Sequence, residues 1–333
     1  ALPAPLGERG DLVAAGHAEA PDGSGDPLVK GIAELVQGGL GLAKGAFHLV
    51  LDLGDLFLAA GLVALAFLHQ AVEDLGKLDN TLIIYITGDN GTSSEGGPTG
   101  TPNEVASVQG VHLPVEAQMK YYDVWGSDKT YPHMSVGWTW AFGTPFSWTK
   151  MVSSHFGGTK QGTVISWPKV IKDKGGIRNQ FHHVIDIMPT ILEAAGIPLP
   201  EEIDGIKQKP IDGTSMMYTF DKKNENAPST RKTQYFEMIG DRAIYHDGWI
   251  LSTKVMRVPW DNSGKGNHDP ASWPWELYDL RKDWTQSNDV AAQYPEKVKE
   301  LEKLFYEEAE KNQVMPMDTT TFTRSILPRP NLT

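Results

Sequence analysis

The longest uninterrupted apolar run with strand character is Leu82-Ile-Ile-Tyr-Ile86. A run of β-branched and aromatic residues with no polar alternation predicts a strand buried on both faces, as in a parallel sheet. Just upstream, residues 71–78 read as the end of an amphipathic helix, the α-to-β connection of a doubly wound sheet. Helical spacing returns over residues 187–195, with Asp186 as the cap, Pro189 in the first turn and Gly196 as the stop. There Ile187, Met188, Ile191, Leu192 and Ala195 are predicted to share an inward face. Residues 233–238, 241–245, 249–254 and 275–279 are short runs separated by turn residues and predict an antiparallel sheet. Residues 294–313 predict a closing helix, with Pro295 in its first turn and Val298, Leu301, Leu304, Phe305 and Ala309 on one side.

The leading segment has a different texture. Residues 1–26 are rich in Ala, Gly and Pro with scattered charges and read as loop or disorder; residues 27–75 turn to Ala, Gly and Leu with plausible helical spacing. The apolar run from Leu56 to Leu68 is about 13 residues, short of the ~20 that cross a bilayer, and predicts a buried helix. It has neither the basic lead nor the cleavage site of a signal peptide, and the glycines between Gly39 and Gly45 fit no nucleotide fingerprint. The polar stretch 222–232 marks a second boundary. The expected organisation is an atypical segment over 1–72, a catalytic portion over 73–225 and a smaller sheet-plus-helix portion over 226–333.

Charge and composition then narrow the chemistry. Among 333 residues, 42 acidic side chains against 30 basic ones give a formal charge of −12, a surface that repels nucleic acid. The absence of cysteine removes disulfides, thiolate zinc sites and thiol nucleophiles. Periplasmic, secreted and cytoplasmic placement are all compatible with it.

The candidate chemistry gathers at the carboxyl end of the first strand, where ligands of open α/β sheets sit. Asp89 and Asn90, between Gly88 and Gly91, offer adjacent oxygen donors suited to a hard cation, Ca²⁺ or Mg²⁺; a simple turn is the competing reading. The Gly-, Thr- and Ser-rich residues 92–105 predict a mobile active-site loop. Residues 121–148 are dense in rings, Trp138 and Trp140 among them, and read either as a buried aromatic cluster or as a wall for an aromatic or carbohydrate substrate. Lys160 lies at a loop end before a second strand, and His155 five residues earlier reads as a packed histidine or a group in the same pocket. His182 and His183 lack the spacing of a metal-binding pair and predict a structural role.

Several stretches together resemble the later half of a type I sulfatase, in the bacterial arylsulfatase branch of the alkaline phosphatase superfamily. They are Asp89-Asn-Gly-Thr-Ser-Ser-Glu-Gly-Gly97, Ser154-His-Phe-Gly-Gly-Thr-Lys160, Gln180-Phe-His-His-Val-Ile-Asp-Ile-Met-Pro-Thr190, Glu237 to Trp249, and Trp275-Glu-Leu-Tyr-Asp279, and the likeness runs from about residue 73 onward. The resemblance implies an alkaline-phosphatase-like doubly wound α/β sheet, partial here, with a carboxyl-terminal antiparallel sheet plus helix. It implies a sulfuric ester hydrolase acting on a small sulfate ester, with a divalent metal on Asp89 and Asn90 and Lys160 touching the sulfate. The same resemblance would place an Asp-Asp pair and a Cys- or Ser-x-Pro-x-Arg motif, the source of a formylglycine nucleophile, in the amino-terminal part; the sequence holds neither. Little activity is therefore expected of this chain alone. A phosphodiesterase or phosphonate hydrolase of the same superfamily, and a non-catalytic remnant that binds a glycan or polyanion, are the alternatives.

Overall fold

The computed structural model describes residues 54–261 and 269–319; the expectations for residues 1–53 lie outside them. The chain divides into two compact units, residues 1–79 with 174–176, and residues 80–173 with 177–333. In the first, helix α1 (Gly54–Asp74) closes on Gly76, whose positive φ lets its amide reach Glu73 O at 2.7 Å. The buried helix expected here is not borne out at its described end, where Phe67 and Leu68 are exposed. No helix of the described residues is long and apolar enough to cross a membrane.

The second unit opens with strand β1 (Ile83–Ile86), which pairs antiparallel with β2 (Thr163–Ser166), Ile83 opposite Ser166 and Ile86 opposite Thr163. This corrects the expected parallel, doubly covered strand. Among the described residues β1 has one ladder partner, and all four of its residues stay partly exposed.

The carboxyl-terminal portion forms as its pattern predicts. Strands β5 (Thr233–Met238), β6 (Asp241–His246), β7 (Trp249–Thr253) and β8 (Trp275–Asp279) make an antiparallel sheet in sequence order, and a short upstream hairpin of β3 (Glu202–Ile203) and β4 (Ile206–Lys207) forms a separate two-stranded sheet. Because side chains alternate along a strand, neighbours on β6, β7 and β8 serve opposite faces. Ile244, Leu251 and Leu277 meet Leu301, Phe305 and Ala309 of the closing helix (Pro295–Lys311). Ala243, Ile250 and Tyr278 meet Phe156 on the other side, with Phe146 and Phe181 against them. The described residues thus have mixed α/β content, with a small antiparallel sheet plus helix at the carboxyl end.

Between these sheets helix α2 (Val136–Gly143) and helix α3 (Ile187–Ala195) are the longest regular elements. Helix α3 has the predicted bounds, ended by Gly196 at φ 66°. Its predicted inward face is borne out only in part, since Ile187 and Leu192 are partly buried. Met188, Ile191 and Ala195 are exposed, while Asp186 and Thr190 are fully buried.

Candidate functional site

Glycines decide how the two candidate loops meet. A Cβ on Gly91 would lie 1.7 Å from Gly157 O, and one on Gly158 would lie 2.0 Å from Val152 O. Only bare backbone allows this approach, and it lets Gly91 N donate to Gly158 O at 2.8 Å. The two chains stay together beyond this contact: Gln161 Nε2 donates to Asn90 O, and, four residues from the glycine pair on each side, Thr87 N donates to Gly162 O at 3.0 Å. The Asp89-Asn90 turn and the Lys160 loop are thus backbone neighbours. Asp89 is exposed. Asn90 is half-buried, and its Nδ2 donates to Gly91 O at 2.8 Å, so the bond engages the nitrogen end of the amide and not the oxygen end. A carboxylate and an amide oxygen fit a hard divalent cation in donor type.

The Lys160 ammonium lies over three rings, 4.6 Å from the centroid of Phe146, 5.3 Å from Trp284 and 5.7 Å from Phe156. Burial of that amine among rings pulls its pKa below the ordinary lysine value. Trp284 comes from the carboxyl-terminal portion, and nothing in the local sequence around Lys160 points to it. The same loop clamps the site from behind: Gln286 Oε1 accepts from Phe156 N at 2.7 Å, and its Nε2 donates to Ser154 O at 3.2 Å and Ser252 Oγ at 3.0 Å.

His155 does not line a substrate wall. It is 3% exposed, with Nδ1 at 2.9 Å from Ser154 Oγ and Nε2 at 3.5 Å from Glu276 Oε2. Burial pushes the Glu276 carboxyl up, and the His155 and Tyr278 bonds together with the nearby positive charge outweigh it, for a net lowering. His182 and His183 are structural, as expected. His182 spans Asp186 Oδ2 at 3.0 Å and Tyr218 OH at 3.1 Å, and His183 sets its ring against Phe236.

The aromatic stretch is not a buried cluster. Tyr122, Tyr131, Trp138, Trp140 and Phe142 are exposed, with Trp138 stacked on Phe142 at 6.1 Å and 27°. Helix α2 is nevertheless fixed beside the Asp89-Asn90 turn, because fully buried Thr139 donates to Ser93 O at 2.6 Å and Val136 N to Gly97 O at 2.9 Å. The residues expected as a mobile loop are therefore a packed segment. Gly96 lies so close to His133 and Met134 that a Cβ would fall 2.1 Å from Met134 O.

That segment holds a grouping the sequence did not suggest. Glu95, Glu104 and His133 bring ligand atoms within 4.8 Å of one another. Lys150 already meets Glu95 Oε1 at 2.6 Å, and His133 Nε2 lies 3.6 Å from Glu95 Oε2 and 2.7 Å from Ser93 Oγ. Burial pushes Glu95 up, but its bonds to His133 and Lys150 win and lower it; the bond to Glu95 in turn raises His133. The Lys150 ammonium and the His133 imidazole thus already face Glu95, and a metal would have to displace them. The carboxylates are 38 and 29 residues from His133 in the chain, a separation that matches no local motif.

Residues 64–197 match the sulfatase family model. The chain is 27% identical over 233 residues to an uncharacterized sulfatase of Schizosaccharomyces pombe, covering 69% of this chain and 38% of the relative. It is 26% identical over 149 residues to the N-acetylglucosamine-6-O-sulfatase of Bacteroides thetaiotaomicron, covering 43% of this chain and 24% of that protein. Over 48 residues it is 48% identical to an ulvan-active sulfatase of Formosa agariphila, 14% of this chain and 9% of the relative. Among solved structures, a Pseudoalteromonas sulfatase is similar with a TM-score of 0.47 at 16% identity, covering 77% of this chain and 42% of that one. The chain spans well under half the length of each of these proteins. The Asp89-Asn90 turn, β1, the Lys160 loop and helix α3 all lie inside the residues that match the sulfatase model, and this match and the sulfatase relatives support a type I sulfatase of the alkaline phosphatase superfamily.

Proposed function

We propose that this chain carries the later part of an arylsulfatase-type site for metal-assisted hydrolysis of sulfate esters, with Asp89 and Asn90 in the metal shell and Lys160 against the sulfate. The observation that supports it most is the glycine contact of Gly91 with Gly157 and Gly158, which sets both loops side by side. A bound Ca²⁺ or Mg²⁺ would act as a Lewis acid on a sulfuryl oxygen. Lys160 supplies a partly dehydrated ammonium whose interaction with an anion is stronger than in bulk water, and the rings of Phe146, Phe156 and Trp284 keep it aimed. Trp138 and Trp140 offer flat apolar surface to an aryl or sugar leaving group.

The chain has no cysteine and no counterpart of the family's nucleophile motif, so little turnover is expected of it alone. The test is purified chain with an aryl sulfate and Ca²⁺, followed by calorimetric titration of Ca²⁺ into wild type and Asp89→Ala. Metal binding that Asp89→Ala abolishes, with negligible turnover, supports the reading. Turnover comparable to a complete sulfatase overturns the expected inactivity, and binding unchanged in Asp89→Ala overturns the metal assignment. The exposed Trp138–Phe142 stack favours a second reading, glycan binding without cleavage; retention on a sulfated glycan with no sulfate release would mark it.

A further inference from the structure

The packed segment that follows the Asp89-Asn90 turn brings Glu95, Glu104 and His133 together, and main-chain bonds put them there. Thr101 and His133 pair antiparallel, Thr101 N donating to His133 O at 3.0 Å and His133 N to Thr101 O at 2.9 Å. A few residues on, Glu104 N donates to Tyr131 O at 2.8 Å, and Asn103 Oδ1 accepts from Ala106 N at 3.2 Å to start the short helix Glu104–Val108. Gly96 closes the group from the other side. A Cβ there would lie 2.8 Å from His133 Nδ1, so only glycine lets the imidazole approach this closely. Three stretches of chain thus deliver one ligand atom each within 4.8 Å of one another.

Their orientation is that of a coordination shell. His133 Nδ1 lies 3.1 Å from Gly96 N and 3.0 Å from Met134 O. With its proton on Nδ1 and donated to Met134 O, the ring turns the Nε2 lone pair toward Glu95; a backbone carbonyl behind the ring is a regular orienting partner of a metal-ligating histidine. Glu95 Oε1 faces Lys150, but Oε2 is buried with no hydrogen-bond partner, and His133 Nε2 stands 3.6 Å from it. Two ligands each about 2.1 Å from a tetrahedral zinc ion are about 3.4 Å apart, close to that gap. Lys150 is the competitor for Glu95. Its side chain, 36% exposed, has water to withdraw into, and a dication brings twice its charge. The imidazole nitrogen separates this group from the all-oxygen Asp89-Asn90 pair, because it suits Zn²⁺ where Ca²⁺ takes oxygen.

We propose that Glu95, Glu104 and His133 form a zinc site, with water in the fourth position, in which the ion clamps the segment after the turn onto residues 131–133. The site uses neither Asp89, Asn90 nor Lys160, so its failure leaves the sulfate-ester reading untouched, and the reverse holds.

The test is calorimetric titration of Zn²⁺ into the full chain with Ca²⁺ in large excess, so that a hard-cation position is already filled. One Zn²⁺ per chain is expected, together with a rise in melting temperature followed by circular dichroism. Glu104→Gln, at a partly exposed side chain, and His133→Gln are each expected to weaken binding at least tenfold and to remove that rise. Asp89→Ala and His246→Gln, the latter in the carboxyl-terminal sheet, are expected to behave as wild type. Should His133→Gln fail to fold, Glu104→Gln alone decides. Absence of Zn²⁺ binding in wild type overturns the proposal, as does binding unchanged in Glu104→Gln. Binding lost in Asp89→Ala also overturns it, by placing the ion at the turn.

Discussion

Between the carboxyl-terminal sheet and its closing helix the buried core is apolar, made by Ile244, Leu251, Leu277, Leu301, Phe305 and Ala309; around helix α3 the fully buried positions are Asp186 and Thr190, with Arg231 nearly so, and Met188 and Ile191 point away. The first region is held by area removed from water, a non-directional force that tolerates small shifts. The second is held by charge and hydrogen bonds, which fix orientation but collapse when one partner is lost. Even the sheet contains an exception that sharpens the contrast. Arg242 is buried with its guanidinium 4.6 Å from the Trp275 ring centroid, and beside it Asp241 is buried with Oδ1 lacking a hydrogen-bond partner. Asp186 and Asp241 are both fully buried, and their pKa values move in opposite directions. Burial pushes Asp186 up, but Arg231 and His182 win and hold it far below the usual carboxylate range. For Asp241 burial wins over the Arg257 charge, and the carboxyl rises to about 7.

The contrast predicts a graded set of losses. Asp186→Ala strands Arg231 and should cost about 3–5 kcal/mol in urea unfolding; a loss under about 1 kcal/mol would mean that charge does not hold α3. The stabilisation from Asp186 is present above its unfolded value near 3.8 and lost as pH falls below it, so the unfolding midpoint of wild type, but not of Asp186→Ala, should drop in acid. Phe305→Ala, which empties the centre of the sheet-and-helix core, should cost about 3–4 kcal/mol.

Asp241 gives a smaller effect of opposite sign. Its folded state binds the proton more tightly than the unfolded chain, so stability falls as pH rises from about 4 to about 7 and then levels. Asp241→Asn should remove roughly 2–4 kcal/mol of that dependence; parallel stability curves for wild type and variant across this window would refute it. At the bottom of the scale, Met188→Gln and Ile191→Gln on the outward stripe should each change stability by less than about 0.5 kcal/mol. A loss as large as that of Phe305→Ala would show the stripe to be core.

What the sequence made legible follows the same division. The carboxyl-terminal strands and the closing helix could be placed because turns, caps and the apolar spacing of Leu301, Phe305 and Ala309 all agree with burial against one sheet. The bounds of α3 could be placed from Asp186, Pro189 and Gly196, yet its facing could not. That is set by Arg231, 45 residues away from Asp186, and no periodicity encodes a salt bridge at that range. The turn at Asp89 and Asn90 was visible locally. The rings around Lys160 were not, since Trp284 arrives from another part of the chain. The pairing of β1 was misjudged because an apolar run reports only what a strand can bury, not which neighbour it finds.

Gln286 has a practical bearing on dissecting the molecule. Its side chain satisfies Phe156 N and Ser154 O from 130 and 132 residues away, while Ser153 donates to Asp241 O at 2.5 Å. Excising residues 64–197 as a recombinant piece would strip those backbone groups of their partners and bare Phe156, so the stretch that carries the family signature is not a separable module.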